Sequence, residues 1–356
     1  MLPDLPRYFL PPDAPVLAAV KRMDELSTRL LMVGSADDFR GVLSTGDIQR
    51  HIIRTGGVEG LVREAQREKF TAASPADDRA ALQAMIDERG IEYMPIVEDG
   101  RVVDVLVAEL GDGQAADAHP NRRPPVATLD VPCVIMAGGL GTRMRPLTHV
   151  LPKPLIPLGN RPIVEHIMER FGRYGVRDFY LTVNYRKAWL ELWAAELDSP
   201  AAVTLVEEPT FLGTGGSLRY VPLGDAREVF VANCDVIVDI DYADLHRFHR
   251  EHTHAVTAVA FMAVESSPYG TLELTAEGQL LSLREKPEGA SFVNAGVYLV
   301  DAAAVALLPA DEVCHMTDLM TRCLAAGHTV GVYPINRHSW RDLGEWDKYL
   351  EAVRAY

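Results

Sequence analysis

The sequence predicts a two-part chain of the α/β class: a three-layer α/β/α sandwich with a Rossmann-like arrangement, preceded by a small α+β region built as an internal repeat. Three observations lead there. At 356 residues the chain exceeds one ordinary domain. From residue 131 onward, apolar strands alternate with amphipathic helices, the pattern of a mainly parallel sheet with helices on both faces. Before residue 111, a helix–strand–turn–strand pattern occurs twice, about 63 residues apart.

The first copy starts with APVLAAVKRMDELS (14–27), whose apolar residues fall at helical spacing. LLMV (30–33), the polar turn SADDF and GVLS (41–44) follow it. The second copy runs ADDRAALQAMIDER (76–89), MPIV (94–97), the turn EDGR and VVDVLV (102–107). Residues 111–130, GDGQAADAHPNRRPPVATLD, have no apolar periodicity and read as a linker. The predicted divisions are therefore 1–110, a linker over 111–130, and 131–356. In the last part, VPCVIMA (131–137), DFYLTVN (178–184), VTLVEE (203–208), EVFVANCD (228–235) and HAVTAVAFM (254–262) read as strands. Helices are predicted over 162–175, 186–197 and 242–252.

Composition narrows the function classes. Hydrophobic residues make up 48% and charged residues 24%, an ordinary globular balance. The net charge is −15, shared by both parts: 15 basic against 22 acidic residues up to residue 130, and 20 against 28 after it. Neither part is built to hold a nucleic-acid backbone. An acidic protein that handles phosphates must use a few placed cations inside a site. The four cysteines form no CxxC pair, which argues against a zinc ribbon or disulfide framework and for a reducing cytoplasm. The start, MLPDLPRYFL, lacks the layout of a signal peptide. No apolar run approaches the ~18 residues of a membrane span. The expectation is a soluble cytoplasmic protein without a membrane partner.

The first strand of the second part leads into GGLGTRMRPLT (138–148). This is not a dinucleotide fingerprint, because Met144 stands where the third glycine belongs, and no Gly-Lys-Ser/Thr makes it a Walker loop. What remains is a glycine turn with a guanidinium at its end. Gly138, Gly139 and Gly141 let backbone N–H groups approach a phosphate or base, and Thr142 follows them. Arg143 adds a planar, permanently charged donor fork. Lys153, in LPKPLIPLGNRPI, lies on a proline-stiffened strip that can return to the same crevice at the strand's carboxyl end.

GGLGTRMRPLT, PKPL and GNRPIVEHI together resemble the nucleotidyltransferases that join a nucleoside monophosphate to a sugar 1-phosphate. The resemblance runs from about residue 131 to 354. EEPTFLGTGGSL (207–218) is similar to the loop that covers base and ribose, which implies nucleotide contacts at Glu208, Gly213 and Thr214. VANCDVIVD resembles V-x-N-G-D, whose Asp holds magnesium; Asp235 takes that place and Cys234 replaces the usual glycine. SPYGTLEL, LREKP and FVNAGVYLVD resemble the sugar-side segments, implying sugar-phosphate contacts at Gly270, Glu285, Lys286 and Asn294. SWRDLGEWDKY resembles the closing W-x-D-I-G motif and implies Asp342 as the second Mg²⁺ ligand. The N-terminal repeat resembles a tandem CBS pair. Its GVLSTGDIQRHI implies an adenine nucleotide, with Ser44 or Thr45 near a phosphate and Asp47 on ribose. The alternative is that Asp47 simply caps the following helix. The second copy lacks the Ser/Thr–Asp pair.

The joined arrangement resembles the CBS-fused guanylyltransferases of nonulosonic (legionaminic-type) acid pathways. That implies GTP and an amino sugar 1-phosphate, such as glucosamine 1-phosphate, as substrates, with NDP-sugar and pyrophosphate as products. Cytidylyl, uridylyl or thymidylyl transfer to another sugar phosphate or a phosphonate is the enzymatic alternative. A silent nucleotide sensor is the alternative of another class. The chemistry needs cations because two anions must meet. Arg143 would serve the triphosphate, Lys153 the α-phosphate and Lys286 the sugar phosphate. Asp235 and Asp342 would hold Mg²⁺, a hard cation suited to oxygen ligands. A CBS pair also implies a homo-oligomer. The histidines of HRFHREHTH (246–254) have no acid or cysteine that completes a metal set, so they read as a solvated helix.

Overall fold

A computed structural model describes residues 5–26, 28–67, 72–89, 91–107, 128–266, 269–275, 277–285 and 288–355. Most of the predicted linker, residues 111–127, and Lys286 lie outside these.

The N-terminal part contains β1 (Phe9–Leu10), α1 (Val16–Glu25), β2 (Leu30–Gly34), β3 (Phe39–Ser44), α2 (Thr45–Thr55), α3 (Val62–Ala65), α4 (Arg79–Arg89), β4 (Tyr93–Glu98) and β5 (Arg101–Val107). The two hairpins, β2–β3 and β4–β5, are both antiparallel. Residues 63 apart touch across the pair. The Arg29 backbone N–H and Nε donate to Glu92 at 2.9 and 3.1 Å, and the Tyr93 hydroxyl donates to the Leu30 carbonyl at 2.5 Å. Met32, Phe39, Val42, Tyr93 and Val105 form a shared apolar cluster between the copies. Each hairpin alone is too small to bury an apolar face, so the copies bury one together.

The second part contains β6 (Cys133–Met136), β7 (Pro157–Leu158), β8 (Arg161–Pro162), α5 (Ile163–Gly172), β9 (Asp178–Val183), α6 (Lys187–Glu196), β10 (Ala202–Glu207), α7 (Gly213–Gly216), β11 (Glu228–Asn233), β12 (Val236–Val238) and α8 (Tyr242–Glu251). It continues through β13 (Val256–Ser266), β14 (Thr271–Leu274), β15 (Leu280–Arg284), β16 (Glu288–Asp301), α9 (Ala302–Val305), α10 (Met316–Ala325), β17 (Val330–Ile335), β18 (Trp340–Asp342) and α11 (Trp346–Ala355). Seven strands form one sheet in the order β10-β9-β6-β11-β16-β13-β17. The sheet is mixed: β16 runs antiparallel between β11 and β13, and the other neighbours pair in parallel. The long strand β13 turns back through the β14–β15 ribbon and returns as β16, and a return of that kind must run antiparallel.

Both faces of the sheet are covered, as continuous apolar strands require. Cys133 and Ile135 of β6, Phe230 and Ala232 of β11, and Val297 and Leu299 of β16 join one core with Ile163, Ile167 and Phe171 of α5, and Tyr242 and Leu245 of α8. The alternate residues Val134, Met136, Val229, Val231, Tyr298 and Val300 face a second core with Met316, Leu319 and Cys323 of α10. Phe171 packs on Tyr242 with ring centroids 4.1 Å apart, and Phe230 meets Tyr242 edge-on at 5.7 Å. All four cysteines are buried and free. Among the described residues, no helix is long and apolar enough to cross a membrane.

Candidate active site

From β6 the chain builds outward through β9 and β10 on one side, then crosses to β11 on the other. The order reverses between β6 and β11, and the crevice at their carboxyl ends is where such sheets place ligands. The glycine turn leaves β6 there, and Asn233, Cys234 and Asp235 leave β11. Gly141 has φ +61° and Thr148 Cγ2 lies 2.7 Å from where a side-chain Cβ would sit, so only glycine fits. The Thr148 hydroxyl donates to the Gly141 carbonyl at 2.8 Å and holds the turn. Space on the side-chain face of Gly139 is open.

The two predicted carboxylates meet through a strand pair. β12 and β18 are antiparallel with Val236 opposite Asp342, and the Leu343 N–H donates to the Asp235 carbonyl at 2.8 Å. A Cβ on Gly344 would lie 2.5 Å from Asp235 Oδ2, 2.9 Å from Asp342 Oδ1 and 3.0 Å from Lys153 Nζ. Three groups separated by up to about 190 residues thus close around one bare Cα. The Lys153 ammonium pairs with Asp235, both residues being under 10% exposed. Asp342 Oδ2 accepts from Lys348 Nζ at 2.7 Å, and its Oδ1 from the Gly344 N–H at 2.8 Å. Burial alone would raise the Asp342 carboxyl, but these hydrogen bonds, with the Lys348 and Arg143 charges, hold it below the usual range. Burial and the neighbouring Asp235 push the Cys234 thiol up to about 12, which favours its neutral form.

Among the described residues, no group of three or more His, Cys, Asp or Glu is arranged to hold a metal. The pair Asp235 and Asp342 suits Mg²⁺ instead, which binds through one or two carboxylates and fills its remaining positions with water and substrate phosphates. A side chain at 344 would collide with both carboxylates and with Lys153, so the glycine lets the two acids come close enough to share one cation, which would displace the ammonium groups they now hold.

Glu208 stands at the end of β10, behind the glycine turn. Its carboxylate presses against Gly138 so closely that a side chain there would collide with it. Glu208 is buried, and burial raises its carboxyl, while hydrogen bonds involving Thr182, the Leu212 N–H and Ser217 oppose the rise. Its neighbour Glu207 faces outward and pairs with Lys187 at 2.7 Å. Gly213 and Thr214 open α7, where the Thr214 N–H reaches His315 Nδ1 at 3.4 Å. The Ser217 hydroxyl, beyond α7, points to Met136 Sδ at 3.4 Å, which ties this loop to the end of β6.

The other predicted residues that are described are not drawn into this cluster. Gly270 and Glu285 are exposed next to the β14–β15 ribbon. Asn294 donates to the Tyr298 hydroxyl at 2.7 Å and accepts from the Gly296 N–H at 2.9 Å. At the N-terminal part, Ser44 and Asp47 form a reciprocal capping box on α2, with Thr45 as its first residue. Asp47 is 1% exposed and also accepts from Arg50 at 2.5 Å and Arg67 at 2.8 Å. The helix thus begins earlier than a cap at Asp47 would place it: Ser44 is the N-cap and Asp47 the third helical residue, closing the box. The histidines of α8 and its C-cap are individually partnered: His246 with Glu228 at 2.6 Å, His249 Nδ1 with the Thr257 hydroxyl at 2.8 Å, and His252 Nδ1 with the Phe248 carbonyl at 2.9 Å.

Two residues of the cluster were not singled out in the sequence. Glu345 Oε1 accepts from Arg143 Nη1 at 3.0 Å, and Lys348 binds Asp342. Their signal was spacing: Lys348 stands six residues after Asp342 and three after Glu345, at the mouth of a helix.

A family model described as Nucleotidyl transferase matches residues 133–356. The mannose-1-phosphate guanyltransferase of Yarrowia lipolytica is 32% identical over 231 residues, 63% of this chain and 63% of the relative. That of Debaryomyces hansenii is 37% identical over 186 residues, 49% of this chain and 51% of the relative. The chain spans between half and just under two thirds of the length of these curated relatives. A solved structure, a putative glucose-1-phosphate thymidylyltransferase from Bacillus anthracis in complex with a sucrose, has a TM-score of 0.50 at 18% identity, covering 63% of this chain and 94% of that one. That likeness concerns the fold alone.

Proposed function

The chain belongs, over residues 133–356, to the nucleotidyl transferase family, and on that premise we propose that it transfers a nucleoside monophosphate from GTP to a sugar 1-phosphate, releasing pyrophosphate. The observation that carries this reading is the convergence of Asp235, Asp342 and Lys153 over Gly344, beside the Gly138–Arg143 turn. A phosphate monoester is already an anionic nucleophile, so its attack on the α-phosphorus calls for no general base. It calls for positive charge around both reactants. Arg143 supplies that charge to the triphosphate. Lys153, close to both carboxylates, supplies it to the α-phosphate, and Lys286 to the sugar phosphate. Mg²⁺ held by Asp235 and Asp342 would supply further charge to offset what grows on the phosphorus oxygens.

Guanine is favoured by Glu208. A carboxylate accepts hydrogen bonds only, and guanine offers N1–H and N2–H₂ side by side, whereas uracil and thymine flank one N–H with carbonyls. The curated relatives named above are guanyltransferases, which agrees with that preference. An amino sugar 1-phosphate such as glucosamine 1-phosphate is the proposed acceptor, and the relatives' names make mannose 1-phosphate its competitor. The N-terminal pair is proposed to be a CBS-type pair that takes an adenine nucleotide and joins chains into a homo-oligomer. Its support is the contact between positions 63 apart. Pyrophosphate release from four nucleoside triphosphates against mannose, glucose and glucosamine 1-phosphates tests base and sugar together. GTP with glucosamine 1-phosphate should lead. Equal or better use of UTP would remove the guanine assignment.

A further inference from the structure

Asp342 and Arg143 are both occupied by residues at the start of α11, Lys348 within it and Glu345 just before it. Lys348 Nζ lies 2.7 Å from Asp342 Oδ2 and 3.3 Å from Glu345 Oε2, and Glu345 Oε1 lies 3.0 Å from Arg143 Nη1. The four charges alternate along a string: carboxylate, ammonium, carboxylate, guanidinium. Glu345 immediately precedes α11, and Lys348 sits three residues on, the spacing that places two side chains on one helical face. The helix is anchored independently of the string, since the Tyr349 hydroxyl donates to the Pro157 carbonyl at 2.8 Å and Ala352 is buried.

We propose that Lys348 and Glu345 are internal stand-ins for the two halves of a metal–triphosphate substrate, Lys348 covering the carboxylate that the cation takes and Glu345 the guanidinium that the anion takes. This rests on the reading of Asp342 as a metal ligand and of Arg143 as a triphosphate cation. The exchange is balanced. The incoming cation replaces the ammonium, the incoming triphosphate replaces the carboxylate, and the two displaced side chains are already 3.3 Å apart and pair with each other. The Arg143 and Glu345 side chains are 61% and 44% exposed, so their pair is of the weak, solvated kind that a polyanion can displace. Cation alone or triphosphate alone opens only half of the string. The cation then meets the Lys348 charge beside Asp342, and the triphosphate meets the Glu345 charge beside Arg143. The arrangement therefore favours joint over separate binding, a coupling that must be reciprocal. Lys348 and Glu345 act here as positioning residues and need not touch the reacting atoms.

The test measures binding in the full chain, apart from turnover. Mn²⁺ alone is followed by electron paramagnetic resonance, GTP alone in excess chelator by calorimetry, and the two together by both. Lys348→Met should bind Mn²⁺ alone about three- to tenfold tighter than wild type, and Glu345→Gln should bind metal-free GTP tighter by a similar factor. In each variant, the factor by which GTP tightens Mn²⁺ should shrink. A damaged fold would lose affinity, so these gains cannot come from misfolding. Unchanged or weaker binding in both variants overturns the stand-in role. Asp342→Asn separates the layers. If it loses Mn²⁺ while Lys348→Met shows no gain, only the stand-ins fail. If it binds Mn²⁺ as well as wild type does, the metal assignment falls and takes the stand-ins with it.

Discussion

Asp235 and Asp342 gain their meaning from a glycine. Both carboxylates lean on the bare Cα of Gly344, and Lys153 closes the third side. If they hold Mg²⁺, removing either removes charge stabilisation that matters most as the phosphorus becomes five-coordinate. Asp235→Ala and Asp342→Ala should each cost about 10²-fold or more in kcat, and a chelator should abolish turnover. Steady-state rates over a Mg²⁺ titration check this, and near wild-type turnover in Asp235→Ala would contradict it. Glu208 lies buried behind Gly138, and its proposed contribution is to the base rather than to the phosphates. Glu208→Gln replaces an acceptor-only group by one that also donates. The ratio of kcat/KM for GTP over UTP should fall by about tenfold, the scale of one mismatched hydrogen-bonding group. An unaltered ratio would assign base reading elsewhere.

Among the elements, α8 shows how a suggestive motif resolves into ordinary packing. His249 is buried against Thr257, and burial is the main force that pushes it from 6.5 down to about 4, against the pull of Glu228. The unfolded chain therefore takes up a proton that the folded chain refuses. The stability contributed by neutral His249 is full above about pH 6.5 and is lost as pH falls toward about 4, a change of roughly 3 kcal/mol. Thermal melts between pH 7 and 4.5 should show a steeper fall in Tm for wild type than for His249→Gln; parallel curves would contradict the buried neutral ring. The strands show what the sequence made legible. The apolar runs around 131–137, 178–184 and 228–235 form β6, β9 and β11 because buried parallel strands carry no alternation to confuse the reading. The antiparallel β16 was not legible from its apolar residues, since strand direction depends on the β14–β15 excursion that precedes it. At the site, Gly138 to Arg143 and Lys153 were legible as a glycine turn and a proline-stiffened strip, whereas Asp235 and Asp342 were legible only through the resemblance of VANCD and WRDLG to the family's motifs. Glu345 and Lys348 were not, because an i,i+3 charge pair at the start of a helix looks like any solvated surface until the β12–β18 pairing brings Asp342 beside it.

The whole molecule joins a mixed sheet, proposed to handle phosphates, to a repeat of another architecture. α2, capped by Ser44 and Asp47, lies against β17 at the edge of the sheet, and His338 Nε2 stands 3.2 Å from Asp24 Oδ1. β17 leads through residues 337–339 into β18, which ends in Asp342. A nucleotide bound near the start of α2 would thus act a short distance along the chain from a proposed metal ligand, provided that it binds two states of the protein unequally. Calorimetry of the full chain with ATP, ADP and AMP should find one adenine nucleotide per chain. Asp47→Asn keeps an acceptor for the Ser44 N–H but loses the charge that orders Arg50 and Arg67, and should weaken that binding at least tenfold. No heat with any of the three would leave the repeat as an assembly platform alone.

The central claim is that an oxygen of a sugar 1-phosphate attacks the α-phosphorus of GTP at the crevice between β6 and β11. The most direct measurement follows that oxygen. The full chain is given Mg²⁺, GTP and a sugar 1-phosphate whose three terminal phosphate oxygens carry ¹⁸O, and the products are read by ³¹P NMR and mass spectrometry. The label should appear in the bridge between the two phosphorus atoms of the nucleotide sugar, with none in the pyrophosphate. Label in the pyrophosphate, or release of phosphate from GTP without a nucleotide sugar, would contradict attack at the α-phosphorus and with it the assignment of the site.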